Sequence, residues 1–297
     1  MSSVIPSVET ISGKKDGPTV AILGGVHGDE FEGVLATRKI ADAVSTSLLC
    51  GRVKYAAPSN PPAWDSAMRV SPLDGLNLAR VFPGKDHGLP TEKIAHHLTQ
   101  NLIARSDLVI DLHSAGKLFD MPMLCGYQDA GGELGARSHK FAEIFAAPFL
   151  WQHNGKPAPG RSLSAAEELG IPSIYVEGRG GGQVRATELD CYVEGVLRIL
   201  KSLTMINDAP IAKSASVVVE GDGNTDEGIV AHSAGYYITH GQVGEKIAQG
   251  TLLGEIVDSR GKVLEAIKSP QSGVIMLLRR KTEVEVSDTL AIVAQLR

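Results

Sequence analysis

The sequence predicts an α/β protein, in which a mostly parallel mixed sheet lies between two layers of helices and a small all-β domain follows. Two observations support this fold class. Through about residue 203, short apolar runs alternate with helical patterns, as expected for parallel strands joined by helices. Beyond residue 214 the helical pattern stops, and glycines interrupt short strand-like runs. We therefore expect two domains, at residues 1–208 and 209–297.

The elements of the first domain follow from the spacing of their apolar residues. Short, nearly uninterrupted apolar runs predict buried strands at residues 18–25, 52–58, 107–113, 121–126 and 171–178. Helical apolar spacing predicts helices at residues 29–44, 92–105, 138–147 and 186–200. Residues 58–89 are rich in proline and lack periodicity. A loop of that length inside a compact domain is usually functional or disordered.

The C-terminal region contains an internal similarity. The segments GTLLGEIV (250–257) and SDTLAIV (287–293) resemble two copies of one half-motif. Because internal repeats of this kind build symmetric β structures, we expect a small barrel-sandwich-like domain made of two similar halves.

Composition excludes several classes of partner. The chain has 297 residues, 43% hydrophobic and 21% charged, with a formal charge of −5 and a pI near 6.0. These values are typical of a globular protein and argue against nucleic acid or an anionic membrane as partners. The N-terminus lacks the pattern of a signal peptide, and no apolar run approaches the ~20 residues of a membrane span. The three cysteines lack metal-type spacing, so we expect reduced thiols in a cytoplasmic protein. A homo-oligomer is left open.

Four residues have the chemistry of a catalytic zinc site. His27 and Glu30 lie in GGVHGDEFEG, His113 lies in VIDLHSAG, and Glu177 lies in SIYVEGRG. Each follows or ends a predicted strand, and open parallel sheets build their sites at the carboxyl ends of their strands. Three ligands would leave one position of the metal open, and the remaining glutamate would move protons.

Simpler interpretations exist for each of these residues. A glutamate in a first helical turn is favourable to the helix dipole, and a histidine at a strand end can be structural. The glycines around His27 also suit a phosphate-binding loop, but both common patterns of such loops are absent. Asp111 lies two residues before His113 on the same strand face, so we expect it behind the metal site, where it would orient another group.

The proline-rich segment carries two cationic candidates, Arg69 and Arg80. They are either surface residues or part of the site. Beside a metal, an arginine suits the polarisation of a carbonyl that becomes an oxyanion. It also suits bidentate binding of a substrate carboxylate.

Together these residues resemble the succinylglutamate desuccinylase/aspartoacylase family, which belongs to the wider group of zinc carboxypeptidases. The resemblance extends in the expected order through GGVHGDEFEG (24–33), NPPAWDSAMRVSPLDGLNLARVFPG (60–84), DLHSAG (111–116), YVEG (175–178) and the C-terminal region. It implies an α/β/α catalytic domain and a β-domain that shields the site.

The resemblance also implies residue roles. One Zn²⁺ per chain would be bound by His27, Glu30 and His113. Glu177 would act as the general base that then turns general acid, and Arg69 would polarise the scissile carbonyl. The implied substrate-binding residues are Asn77, Arg80 and Arg161.

One departure from the family pattern concerns the substrate. The family usually reads D-L-N-R-x-F-P-G, whereas this chain has Ala79 directly before Arg80. A lost hydrogen bond to a charged group costs about 1.5–3 kcal/mol. This change disfavours N-acetylaspartate and succinylglutamate as the specific substrates and leaves the zinc and base residues intact.

The sequence therefore predicts a zinc amidohydrolase that removes an acyl group from a small, anionic N-acylated amino acid or related amide. A carboxypeptidase that acts on short peptides is the alternative within the enzyme class. Two further alternatives are not enzymes: a non-catalytic metal or ligand binder, and a lipoyl-type carrier domain. The carrier interpretation would use Lys262, which lies in a predicted turn without the usual carrier motif.

Overall fold

A computed structural model describes residues 4–212, 216–221 and 228–297. Its strands are β1 (Glu9–Ser12), β2 (Lys15–Gly24), β3 (Cys50–Ala56), β4 (Leu108–Ser114), β5 (Phe119–Asp120), β6 (Leu124–Asp129), β7 (Phe149–Asn154), β8 (Ser173–Gly178), β9 (Val217–Glu220), β10 (Ile229–Val230), β11 (Gly235–Thr239), β12 (Lys246–Ile247), β13 (Leu252–Val257), β14 (Val263–Lys268), β15 (Gly273–Arg279), β16 (Glu283–Val284) and β17 (Thr289–Leu296). Its α-helices are α1 (Phe31–Val44), α2 (Pro61–Asp65), α3 (Pro90–Leu98), α4 (Gly132–Phe145), α5 (Ser162–Glu168) and α6 (Ala186–Ser202).

The main sheet has the order β1-β3-β2-β4-β8-β6-β7-β9-β17-β15-β12. At its centre β3, β2, β4 and β8 run parallel, while β6 pairs antiparallel with β8. The central strands are apolar along their length and buried, as expected for a sheet covered on both faces. This confirms the predicted mostly parallel mixed sheet.

Two apolar cores lie on the two faces of this sheet. One contains the inward residues of α1, α4 and α6, for example Ile40, Phe145 and Ile199. The other contains those of α3 and α5, for example Ile94 and Ala166. The layers are therefore helix, sheet and helix, as the sequence predicts.

The C-terminal region forms a second, antiparallel sheet with the order β14-β13-β11-β16. Its other strands, among them β15 and β17, join the main sheet instead. The two similar sequence segments become β13 in one sheet and β17 in the other, so the two halves are two facing sheets. The interior between them includes Tyr237, Leu253 and Leu290. Lys262 is exposed at the turn between β13 and β14.

The two regions share one sheet. β9 begins at Val217, after the predicted boundary at residue 208, yet it pairs with β7 of the first region. β17 then pairs antiparallel with β9, and β15 pairs with β5. The boundary itself stays a prediction, because continuous pairing crosses the region where it was placed.

Some predicted elements differ in extent. The helix predicted at 92–105 is α3 followed by a π-helical turn, Thr99–Ile103, and it ends before Arg105, whose φ of 71° is left-handed. The helix predicted at 138–147 begins at Gly132. The helices α2 and α5 were not predicted, because they are too short to show a clear period. The strand β7 was not predicted because only the first half of its sequence, FLWQHN, is apolar. Across the described residues, no helix is both long and apolar enough to cross a membrane.

Candidate metal centre

His27 and Glu30 lie in the short connection between β2 and α1. The chain turns at Gly25, whose φ of 73° is left-handed, and Glu30 occupies the N-cap position of α1. Gly28 allows the closest approach, because a β-carbon there would lie 2.0 Å from the backbone of Ala63. Gly28 therefore permits a close approach of protein backbone, and the turn points both side chains to one place.

His113 lies near the carboxyl end of β4, beside the strand that leads to His27. Helix α1 packs directly on β4 at Gly33, where an added β-carbon would lie 2.1 Å from the carbonyl oxygen of Leu112. This close packing brings Glu30, at the start of α1, within hydrogen-bond distance of His113. Residues distant in sequence therefore meet at the carboxyl ends of adjacent strands, as predicted.

The carboxylate of Glu30 connects the two histidines. Its Oε1 lies 2.6 Å from Nδ1 of His27, and its Oε2 lies 2.8 Å from Nδ1 of His113. Arg69 donates from Nη1 to Oε1 at 2.9 Å, and the backbone N–H of Ser114 donates to Oε2 at 3.2 Å. Glu30 is 1% exposed, so this carboxylate depends on its partners for the charge it carries.

The outer ring nitrogens of the two histidines are also held. Nε2 of His27 lies 3.0 Å from Oδ1 of Asn77, and Nε2 of His113 lies 3.0 Å from Oδ1 of Asp111. Asp111 is held in turn by the hydroxyl of Ser162, which donates to its Oδ2. Metal-binding histidines commonly have such oxygen partners behind them, because the partners fix the tautomer that leaves Nδ1 to the metal.

The electrostatics are those of a site built around a cation. Burial would raise the pKa of Glu30, but His27 and His113 outweigh burial and hold that pKa well below its usual value. Burial lowers the pKa of His27, whereas Asp111 and Glu30 overcome burial and raise the pKa of His113 well above its usual value. Without a metal, a proton on His113 therefore balances the buried carboxylates.

These residues fit a zinc ion. One ligand atom from each of His27, Glu30 and His113 lies within 4.8 Å of the other two, and all three residues are buried. Two imidazoles and one carboxylate are the donor set of catalytic zinc sites that keep a position open.

Glu177 lies in β8 directly beside the metal residues. In the pairing of β4 with β8, Glu177 is the register partner of His113. Burial raises the pKa of Glu177 to about 8; His113 and Arg69 act against this rise, and Glu30 and Asp111 add to it. Its buried Oε2 has no hydrogen-bond partner among the described residues. A carboxyl group held this way is suited to take up and release a proton near neutral pH.

A cavity of about 520 Å³ opens over these residues. Arg69, Arg80 and Arg161 all line it. Arg80 ends the 3₁₀ turn Leu78–Arg80, and the backbone N–H of Phe82 bonds to the carbonyl of Gly160, which brings Arg161 to the same wall. Ala79 lines the cavity as well, so the substitution noted in the sequence faces the substrate space.

Each predicted site residue thus reaches this region, with one difference of position. Asn77 was predicted to bind substrate, and its carbonyl oxygen instead contacts Nε2 of His27 and the backbone N–H of Ala79. Three further residues line the cavity and were not predicted from the sequence: Ser162, Tyr175 and His153. Tyr175 had a usable signal, because it precedes Glu177 by two residues and so shares its strand face.

Comparison with known proteins gives a consistent result. The model of the succinylglutamate desuccinylase/aspartoacylase catalytic domain matches residues 16–203. A curated relative, N-alpha-acetyl-L-2,4-diaminobutyric acid deacetylase of Halomonas elongata, is 30% identical over 96% of this chain and 84% of its own length.

Solved structures share the whole fold. A succinylglutamate desuccinylase/aspartoacylase from Rhodobacter sphaeroides has a TM-score of 0.88 at 27% identity, covering 98% of this chain and 89% of that one. A succinylglutamate desuccinylase from Silicibacter sp. has a TM-score of 0.89 at 24% identity, with the same two coverages. The ectoine utilization protein EutE (DoeB) from Ruegeria pomeroyi has a TM-score of 0.88 at 24% identity, covering 97% and 88%.

The matching family model and the curated relative both describe deacylases, which hydrolyse amide bonds. The chain belongs to the succinylglutamate desuccinylase/aspartoacylase family.

Proposed function

We propose that this chain is a zinc-dependent deacylase that releases the acyl group from small N-acylated amino acids. One observation carries the proposal: a buried His-Glu-His cluster and an adjacent glutamate with a raised pKa face one cavity. A pure metal binder would need the first of these and would have no use for the second.

His27, Glu30 and His113 would hold the zinc, through Nδ1 of each ring and the carboxylate between them. When bound, the zinc supplies a Lewis acid that polarises the amide carbonyl and acidifies a water molecule. Asp111 keeps the ring of His113 in place, and Asn77 does the same for His27. We therefore move Asn77 from substrate binding to the support of His27.

Glu177 performs the proton transfers. Its carboxylate takes a proton from the attacking water as the oxygen bonds to the amide carbon. The same group then gives the proton to the leaving nitrogen as the carbon–nitrogen bond breaks. A pKa raised by burial suits both directions of transfer, since the group is neither a strong acid nor permanently charged.

The arginines would bind the negative charges of the substrate and of the transition state. Arg69 lies within 2.9 Å of Glu30 and at the cavity wall, where its guanidinium would stabilise the developing oxyanion. Arg80 and Arg161 lie together on another part of the wall, where they would bind the carboxylate of the amino acid.

The cavity volume supports a small substrate. A space of about 520 Å³ lies within the range of small-molecule sites. The curated relative is a deacetylase of an N-acetylated diamino acid, so we expect an N-acetyl amino acid here rather than a peptide. Ala79 removes a polar group from this space, consistent with a substrate other than N-acetylaspartate or succinylglutamate. A cytoplasmic location and a possible homo-oligomer stay predictions.

The test uses the full chain stripped of metal with a chelator and reloaded with Zn²⁺. We expect one zinc per chain, no turnover by the stripped protein, and amine release from N-acetyl amino acids by the reloaded protein. Longer acylated peptides serve as the comparison. Faster hydrolysis of peptides would favour a carboxypeptidase, and zinc binding without turnover of any acylated amine would favour a non-catalytic binder.

A further inference from the structure

One wall of the cavity contains a chain of hydrogen bonds that the proposed reaction does not use. His153, on β7, places its Nδ1 2.6 Å from the carbonyl oxygen of Gly221. Its Nε2 lies 2.6 Å from the hydroxyl of Tyr175, on β8. The two ring planes are nearly parallel, inclined by 21°, and their centroids lie 5.7 Å apart. All three residues line the cavity.

The carbonyl of Gly221 fixes the direction of its own hydrogen bond with His153. A backbone carbonyl only accepts, so Nδ1 of His153 carries a hydrogen. In the neutral ring, Nε2 is then an acceptor, and the hydroxyl hydrogen of Tyr175 must point to it. The hydroxyl hydrogen of Tyr175 is then used in the bond to His153, and the phenol oxygen can only accept hydrogen bonds from groups in the cavity.

The position of Tyr175 is also fixed by its neighbours. Its ring lies over Gly126 of β6, where a β-carbon would come within 2.1 Å of the ring. Burial raises the pKa of Tyr175 well above its usual value, and the nearby Glu177 adds to this, so the phenol keeps its hydrogen. The lone pairs are therefore presented in one direction by a rigid side chain.

We propose that Tyr175, oriented by His153, is the subsite that recognises a hydrogen-bond-donating group, an amine in particular, on the side chain of the substrate. This inference rests on the proposed deacylase function. Tyr175 would contact the substrate directly, and His153 is a positioning residue that acts through it.

The distance along β8 suits this role. Tyr175 and Glu177 point to the same face of the strand and lie two residues apart, about 6.6 Å at the usual rise per residue. A substrate whose amide nitrogen receives its proton from Glu177 can therefore reach Tyr175 with a short side chain. Two methylene groups ending in an amine, as in 2,4-diaminobutyrate, have a suitable length.

The positive charge of Arg161 favours a different side chain on the substrate. This charge acts on the phenol of Tyr175 and would favour an anionic side chain at the same wall. The two alternatives differ in what they bind: the phenol oxygen needs a donor, whereas the guanidinium needs an acceptor. Substrates of equal length with different side-chain ends separate them.

The experiment compares kcat/KM of the zinc-loaded enzyme for four N-acetyl amino acids: those of 2,4-diaminobutyrate, homoserine, norvaline and aspartate. We expect the amine substrate to be preferred over norvaline by about 10- to 100-fold, as for one hydrogen bond to a charged group. Homoserine should lie between them and aspartate should be poor. A preference for aspartate or norvaline overturns the proposal.

Variants then assign the preference to Tyr175. In Tyr175→Phe, the ratio of amine to norvaline should fall by about 10-fold or more. His153→Phe frees the phenol to donate, so the ratio of aspartate to amine should rise. Tyr236→Phe, on the exposed sheet, is the matched control and should change neither ratio. Ratios within one preparation do not depend on the fraction of folded enzyme, and equal losses on all substrates in Tyr175→Phe overturn the proposal.

A binding measurement separates this proposal from the deacylase function. Calorimetry compares free 2,4-diaminobutyrate and norvaline on the zinc-loaded wild type and on Tyr175→Phe. Tighter binding of 2,4-diaminobutyrate that disappears in Tyr175→Phe supports the subsite even if the wild type hydrolyses no N-acyl amino acid, in which case the function alone fails. Equal binding of the two amino acids overturns the subsite.

Discussion

Glu30 shows how one buried carboxylate organises the site at the scale of single residues. It contacts both histidines with its two oxygens and also accepts from Arg69 and from the backbone of Ser114. Arg69, Ser114 and the protonated His113 donate to it, whereas neutral His27 has its one ring hydrogen on Nε2, toward Asn77. A metal would replace two of those contacts and leave the other two in place.

The role of Glu177 can be separated from metal binding. Because Glu177 is not part of the His27, Glu30 and His113 cluster, Glu177→Gln should keep its zinc and its fold while losing proton transfer. General acid–base catalysis contributes about 10²–10⁴-fold, so we expect kcat to fall by at least that factor. Zinc content per chain and steady-state turnover measure the two effects. Near-normal turnover with full zinc would contradict the assignment.

Proton release on zinc binding follows from the pKa values. The pKa of His113 is raised well above 6.5 by Asp111 and Glu30 against burial, and burial raises that of Glu177 to about 8. At pH 7 both groups therefore carry a proton in the metal-free protein. A bound cation favours their deprotonated forms, so about two protons should leave with each zinc bound.

Calorimetry of zinc binding in buffers of different ionisation enthalpy gives this number. Glu177→Gln should release about one proton fewer at pH 7. The difference between the two proteins should vanish above the pKa of Glu177, because the carboxyl has then already lost its proton. Equal release at pH 7 would mean that Glu177 is ionised without zinc.

At the scale of elements, the packing of α1 on β4 brings the residues of the candidate metal site together. Gly33 lets the helix lie on the backbone of Leu112, one residue before His113, while Glu30 directly precedes the first residue of the same helix. The helix was predicted from its apolar spacing. The pairing partner was not predictable, because nothing in a local pattern tells which strand a helix packs against.

The variant Gly33→Ala tests the packing of α1 on β4. An added β-carbon would lie 2.1 Å from the carbonyl oxygen of Leu112, so the helix must shift away from β4. We expect a loss of about 1–3 kcal/mol in the free energy of unfolding, despite the better helix propensity of alanine, together with weaker zinc binding. Denaturant unfolding and a zinc competition assay measure these changes.

Leu35→Ala is the control in the same helix. Leu35 is 42% exposed, so its truncation should change the free energy of unfolding by at most about 0.5 kcal/mol and leave zinc affinity unchanged. Unaltered zinc affinity in Gly33→Ala would show that α1 does not position Glu30.

At the scale of the whole molecule, the C-terminal region is part of the core of the first. An apolar cluster joins Leu124 and Trp151 of the main sheet to Met276 and Ala294 near the end of the chain. The sheet itself continues from β7 through β9 to β17. The sequence predicted two domains because the pattern changes from alternating strands and helices to short strands alone, and the structure has this change. The continuity across it depends on pairing between residues far apart in the chain.

We therefore expect one cooperative unfolding transition for the whole chain. Met276→Ala removes a fully buried side chain from the shared cluster and should lower the free energy of unfolding by about 2–5 kcal/mol without splitting the transition. Val286→Ala, at a position 59% exposed, is the control and should have little effect. Differential scanning calorimetry reports the number of transitions, and two separate ones would show independent domains.

The sequence by itself determined the fold class and the identity of the chemical groups. Apolar periodicity is local, so it predicted β2, β4, β8 and α1, and motifs placed His27, Glu30, His113 and Glu177 at strand ends. Only the tertiary structure decided which groups touch. It placed Asn77 on His27, joined His153 to Tyr175 across β6, and set Ser162 behind Asp111. These contacts depend on strand order and loop packing, which arise from the burial of the whole chain and leave no local period to read.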